Sequence, residues 1–193
     1  MLTLPVNLSA DIDVSLRAVE SSDAKVLFNL VERNREYLRE WLPWLDFNTS
    51  LADTEAFIEK SIQQHSDGVG LVLLIIHNGQ PQGVIGFNWI DALHQSCEIG
   101  YWIAEDAQGL GLVTVCTRAM IGYAFTELDL NRVNISAALN NTGSRAIPER
   151  LGFSQEGTKR EAEWLYDHFV DHATYAMLRR DWDIQACLAR SQT

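Results

Sequence analysis

Apolar and polar positions change period several times along the 193-residue chain, and each change predicts an element. "VSLRAV" alternates and reads as a first strand. Ala24, Leu27, Leu30 and Val31 then recur at helical spacing, with Ser21 or Ser22 available as a cap. "NREYLREWLPWLDF" reads as a second short helix, broken near Pro43 and carrying Trp41 and Trp44. Thr49 or Ser50 opens a third, with Phe57, Ile58, Ser61 and Ile62 on one side. "GVGLVLLIIH" and "GVIGFNWI" are strands joined by the turn chemistry of "NGQPQ". "SCEIGYWIA" is a further strand, residues 112–126 a helix, "RVNISAAL" a strand and residues 141–151 a helix. "SQEGTKREAEWLYDHFVDHATYAML" holds a closing pair of strands.

The order β-α-α-α-β-β-β-α-β-α-β-β predicts an α/β (α+β) fold, a mixed central sheet of about seven strands flanked by helices. No repeat, low-complexity tract or linker interrupts it. One domain over residues 1–193 is the expectation.

Composition narrows the function class. Apolar residues make up 47% and charged residues 21%, as in a globular protein with a real core. No apolar run approaches the ~20 residues that span a bilayer, and the N-terminal stretch lacks the pattern of a signal peptide. The three cysteines, Cys97, Cys116 and Cys187, have no metal-like spacing, which points to a reducing cytoplasm. His94, His168 and His172 are scattered, so no metal site is expected. The net charge of -11 argues against general nucleic-acid binding and favours an amine-bearing substrate.

The chemistry concentrates at "EIGYWIAEDAQGLGLVTVCTRAMIGYAF", Glu98 to Phe125. A strand-to-helix turn leaves about four N–H groups unpartnered, and with the helix dipole they attract an anion. Gly109 and Gly111 allow positive φ and close approach of a ligand. Gln108 adds an amide and Thr114 a hydroxyl. Phosphate is the natural guest, but the loop is neither a Walker loop nor a dinucleotide G-x-G-x-x-G.

"Q-G-L-G-L-V", residues 108–113, resembles the Q/R-x-x-G-x-G/A signature of the GNAT superfamily of acyl-CoA N-acyltransferases. "NNTGSRAIPERLGF", residues 140–153, resembles that family's second hallmark. "SLRAVESSDA", "EYLREWLPWL", "EIGYWI" and "YAMLRRDW" are similar to the RimL and RimJ subgroup of ribosomal-protein N-terminal acetyltransferases. The likeness covers roughly residues 14–182. Val113 departs from the pattern, standing where Gly or Ala is usual; its N–H remains available if its side chain points away.

The resemblance implies a GNAT fold with a splayed V between the strand at 97–104 and that at 132–139. It implies acetyl-CoA as co-substrate, with its arm in the V against Ile103 and Ala104 and its pyrophosphate on Gln108, Gly109, Leu110, Gly111, Leu112, Val113 and Thr114. Asn141 would hold the pantetheine or its phosphates. Glu98 is the candidate base and Ser144 the candidate proton donor to the leaving thiolate. An N–H of Ile103 or Ala104 would polarise the thioester carbonyl. Direct attack in a ternary complex is expected.

Trp44, Trp89, Tyr166 and Asp171 are candidates for the acceptor site, and Cys116 reads as packing. The acceptor expected is the α-amino group of a protein N-terminus, of ribosomal-protein-serine or -alanine type. An acidic target would have to be offset by Arg33, Arg35 and Arg39. The alternatives are a small-molecule amine (an aminoacyl nucleotide, antibiotic or polyamine) and a non-catalytic acyl-CoA-binding sensor. A homodimer is common among similar proteins.

Overall fold

Leu71–His77 carries apolar side chains on both faces, which a strand satisfies only inside a sheet covered on both sides. In the computed structural model, which describes residues 2–6 and 13–182, it does this as β3. Leu73 and Ile75 face one core, while Leu74 faces another with Leu27, Ile58 and Val84. Cys187 lies outside the described residues.

The elements before β3 are β1 (Thr3–Pro5), β2 (Val14–Ala18), α1 (Ala24–Arg33), α2 (Arg35–Arg39) and α3 (Leu51–Ser66). After it come β4 (Gln80–Asp91), β5 (Ser96–Ile103), α4 (Leu112–Thr126), β6 (Arg132–Ala138), α5 (Thr142–Arg150), β7 (Ser154–Leu165) and β8 (His168–Leu178). They form an eight-stranded sheet of order β1-β2-β3-β4-β5-β6-β8-β7. All neighbours are antiparallel except β5 and β6.

The sheet exceeds the expected seven strands by β1, whose Thr-Leu-Pro is too short to alternate. α1 and α3 cover one face; α4 and α5 pack on the other. Within α3, Ile58 and Ser61 are buried as expected, but Phe57 and Ile62 remain 40% and 41% exposed. No described helix is long and apolar enough to cross a membrane.

Two caps hold the helices that wall the site. Ser50 opens α3 in a reciprocal capping box with Asp53. Before α1 the capping pair is Glu20 and Asp23, not Ser21 or Ser22. Asp23 is buried, accepts the Glu20 N–H at 2.8 Å and two guanidinium bonds from Arg17 at 2.9 and 2.7 Å. Burial pushes its carboxyl up, but Arg17 and the Glu20 amide outweigh that and hold it below the ordinary value.

A depressed folded pKa means the carboxylate stabilises fully above the unfolded value of about 3.9, and that contribution is lost as pH falls below it. Asp23→Asn is therefore expected to cost about 2–4 kcal/mol at pH 7 in urea unfolding. The gap from wild type should hold down to about pH 4 and narrow below it.

Candidate active site

β5 and β6 run parallel but pair only from Ser96 to Glu98 against Arg132 to Asn134. Beyond Glu98 they part, giving the V expected between them. The Ala104 N–H donates to the Gln82 carbonyl at 2.7 Å, on the β4 side. Main-chain groups of successive strand residues point to opposite edges, so the Ile103 N–H turns into the gap. Ala104 does not match the expectation: its carbonyl also has a partner, the Ala107 N–H at 3.1 Å.

On the α4 side the V opens into a cavity of about 800 Å³. Gly109 and Gly111 both take left-handed backbone, at φ 73° and 75°, and Gly111 caps α4 with no side chain serving its amides. Among the described residues no partner is found for the N–H of Gly109, Leu110, Gly111, Leu112, Val113 or Thr114. A helix start so exposed binds anions.

The Val113 side chain packs on the core, which leaves its amide facing the loop. Leu110 is 47% exposed and does not line the cavity, so it can offer only its backbone. Arg150, to which no role attached in the sequence, donates to the Thr114 hydroxyl at 2.7 Å and brings a cation to the loop. Gln108 and Tyr37 line the same wall. Backbone N–H groups, hydroxyl and guanidinium together fit a diphosphate.

On the opposite face a second cavity, of about 690 Å³, holds Glu98. Alternation along β5 sends Glu98, Gly100 and Trp102 to this face and Ile99, Tyr101 and Ile103 to the other. Glu98 accepts from Asn88 Nδ2 at 3.1 Å and from Ser136 Oγ at 3.2 Å. Gly100 makes this possible: a Cβ there would lie 2.5 Å from the Asn88 side-chain oxygen. Glu163 faces the same cavity with His172, whose Nε2 lies 3.3 Å from a Glu163 oxygen.

The two cavities meet where Tyr101, Trp102, Asn141 and Ser144 line both. Asn141 caps α5, its side-chain oxygen accepting the Ser144 N–H at 2.9 Å. Ser144 thus lies in the first turn of α5, at the positive end of its dipole. Pro148 sits inside α5 and has no N–H for the carbonyl four residues earlier, that of Ser144. The Tyr101 hydroxyl supplies the missing donor at 3.0 Å, which brings the phenol within 3.5 Å of the Ser144 hydroxyl. Burial pushes the Tyr101 phenol well above its ordinary pKa, so it stays protonated.

Of the acceptor candidates, only Trp44 lines the Glu98 cavity, tilted against Trp102 at 6.4 Å. Trp89 does not: the β4 register shifts between Phe87 and Trp89, which pairs Trp89 with Glu98. The bulged Asn88 nevertheless makes the side-chain hydrogen bond to Glu98 and lines the cavity, leaving Trp89 39% exposed. Tyr166 lies outside too. Its hydroxyl donates to the Leu42 carbonyl and its ring carries the Arg39 guanidinium at 3.7 Å, pinning the cavity wall from behind. Asp171 accepts the Glu161 N–H at 2.7 Å across a bulge, while its neighbour His172 takes the inward position. Cys97 and Cys116 are buried, and burial pushes each thiol up to about 12, so neither is a nucleophile. No group of three or more metal-ligating side chains occurs among the described residues.

Comparison with known proteins shows the family and the fold. A family model described as "Acetyltransferase (GNAT) domain" matches residues 13–154. The chain is 38% identical over 172 residues to YdaF of Bacillus subtilis (strain 168), provisionally named a ribosomal N-acetyltransferase, covering 88% of this chain and 93% of that protein. It is 32% identical over 165 residues to the ribosomal-protein-serine acetyltransferase of Escherichia coli (strain K12), covering 86% and 92%. Its fold is similar to that of RimL, a ribosomal L7/L12 α-N-protein acetyltransferase solved with coenzyme A. The TM-score is 0.88 at 29% identity, over 94% of this chain and 100% of that one. The chain belongs to the acetyltransferase (GNAT) domain family and is an acetyl-CoA-dependent N-acetyltransferase.

Proposed function

We propose that this enzyme acetylates the α-amino group of a protein N-terminus, by direct attack on acetyl-CoA in a ternary complex in the cytoplasm. One observation carries the reading. The V opens to both faces of the sheet, with a carboxylate on one side and a hydroxyl pair on the other. Relatives named for ribosomal proteins support a protein acceptor. The absence of any Lys or Arg lining the Glu98 cavity, among the described residues, suits a cationic amine.

Bound acetyl-CoA supplies an acyl thioester. The amides from Gly109 to Thr114, with Arg150, hold its diphosphate, and the Ile103 N–H is available to the thioester carbonyl. An α-amino group has a pKa near ~7.7–8.0 and must lose a proton before it attacks. Glu98 accepts that proton, directly or through water, while Asn88 and Ser136 fix its orientation. Ser144 donates a proton to the departing sulfur, and the helix end favours the charge that develops there. Tyr101 holds the Ser144 turn in position.

Two outcomes test these roles. Glu98→Gln should depress kcat/KM most below the amine pKa and progressively less above it, with acetyl-CoA affinity unchanged. A gap that is flat with pH would remove Glu98 from the role; Glu163→Gln, assayed in parallel, would then show the sloping profile instead. Ser144→Ala and Tyr101→Phe should each lower kcat by about tenfold with little change in the KM for acetyl-CoA. Full kcat in either variant, in a thiol-release assay with an N-terminal peptide, would reassign that residue.

A further inference from the structure

The acceptor cavity is asymmetric in charge and in polarity. The carboxylates of Asp53, Glu98 and Glu163 line it, and among the described residues no Lys or Arg does. Asp53 is turned to its own helix cap, where it accepts from Thr49 and Ser50. That leaves Glu98 and Glu163, the latter with His172 Nε2 at 3.3 Å, as the carboxylates an acceptor meets.

The nearby guanidinium groups do not compensate. Arg35 is tied to Glu32 and to the Leu45 and Asn48 carbonyls, and Arg39 to Asp46. At the rim Phe47 is 81% exposed and Phe57 40%, although both line the cavity. Exposed rings of this size beside a cleft are apolar surface left without a partner.

We infer that the enzyme selects protein N-termini that are free of acidic residues next to the α-amine and carry an apolar side chain there. This inference rests on the protein-acceptor reading above. The ammonium is drawn to Glu98 and Glu163 on approach. An apolar second residue covers Phe47 and Phe57, and removes that area from water. A carboxylate at the same position would meet Glu98 and Glu163 in a cavity that no Lys or Arg lines among the described residues.

The test is a set of peptides that differ only at the second position, Ser-Leu, Ser-Gly, Ser-Lys and Ser-Asp, assayed with acetyl-CoA at low and at 0.5 M salt. Ser-Leu should exceed Ser-Asp in kcat/KM by at least tenfold at low salt. The gap should shrink in 0.5 M salt and in Glu163→Gln. Phe47→Ala should reduce the preference for Ser-Leu over Ser-Gly while acetyl-CoA affinity stays constant. Equal rates for Ser-Asp and Ser-Leu, or a gap that ignores salt, would overturn the inference and leave the protein-acceptor reading standing. Turnover of spermidine with no peptide accepted would overturn both.

Discussion

The structure turns on a pairing that stops. β5 and β6 share hydrogen bonds only as far as Glu98 and Asn134, and past that point the inner edge of β5 carries main-chain groups with no strand to meet them. Buried backbone polar groups need partners, so an edge of this kind at the centre of a sheet calls for an extended ligand. The chain cannot fill the gap itself: β6 is held to β8 along its whole length, and Ala104 is fastened to β4. The adjoining α4 start adds a second set of unpartnered amides, aimed at an anion. An extended arm that ends in phosphates satisfies both.

From this follows the division of chemistry between the two faces of the sheet. Alternation along β5 sets Glu98 and Tyr101 on opposite sides, and the splay lets both look into the same opening. An amine can therefore meet its base on one side while sulfur leaves toward Ser144 on the other. Pro148 links local helix chemistry to this geometry. By withholding one helical hydrogen bond it frees the Ser144 carbonyl for the Tyr101 phenol, which joins α5 to β5 at the apex of the V.

Much of this was legible in the sequence where the signal is local. Gly109 and Gly111 take the backbone their turn demands, and the helix over 112–126 begins at Leu112. Ser144 and Asn141 fall at the start of α5, where the second motif set them. What escaped depends on contacts or register. Simple alternation through "FNWI" sets Trp89 beside Phe87 on the α4 face; the bulge instead pairs Trp89 with Glu98, yet Asn88 takes the hydrogen bond and the place in the cavity. In β8, which pairs with β6 in unbroken register, plain alternation sets Asp171 on the face of Ala173 and Tyr175 and His172 on the other. The bulge in β7 between Lys159 and Glu163 brings Glu163 inward. Tyr101 was unreadable for another reason: its partner is a carbonyl in a distant helix, freed by a proline, and no spacing in β5 records that.

The central claim is that amides left open around the α4 start and along β5 hold the coenzyme. Amide hydrogen exchange, followed residue by residue with and without coenzyme A, tests it most directly. The account predicts that Gly109 to Thr114, together with Ile103, slow markedly on binding. Coenzyme A that binds and protects other segments, while these amides exchange at the rate of the free protein, would contradict it.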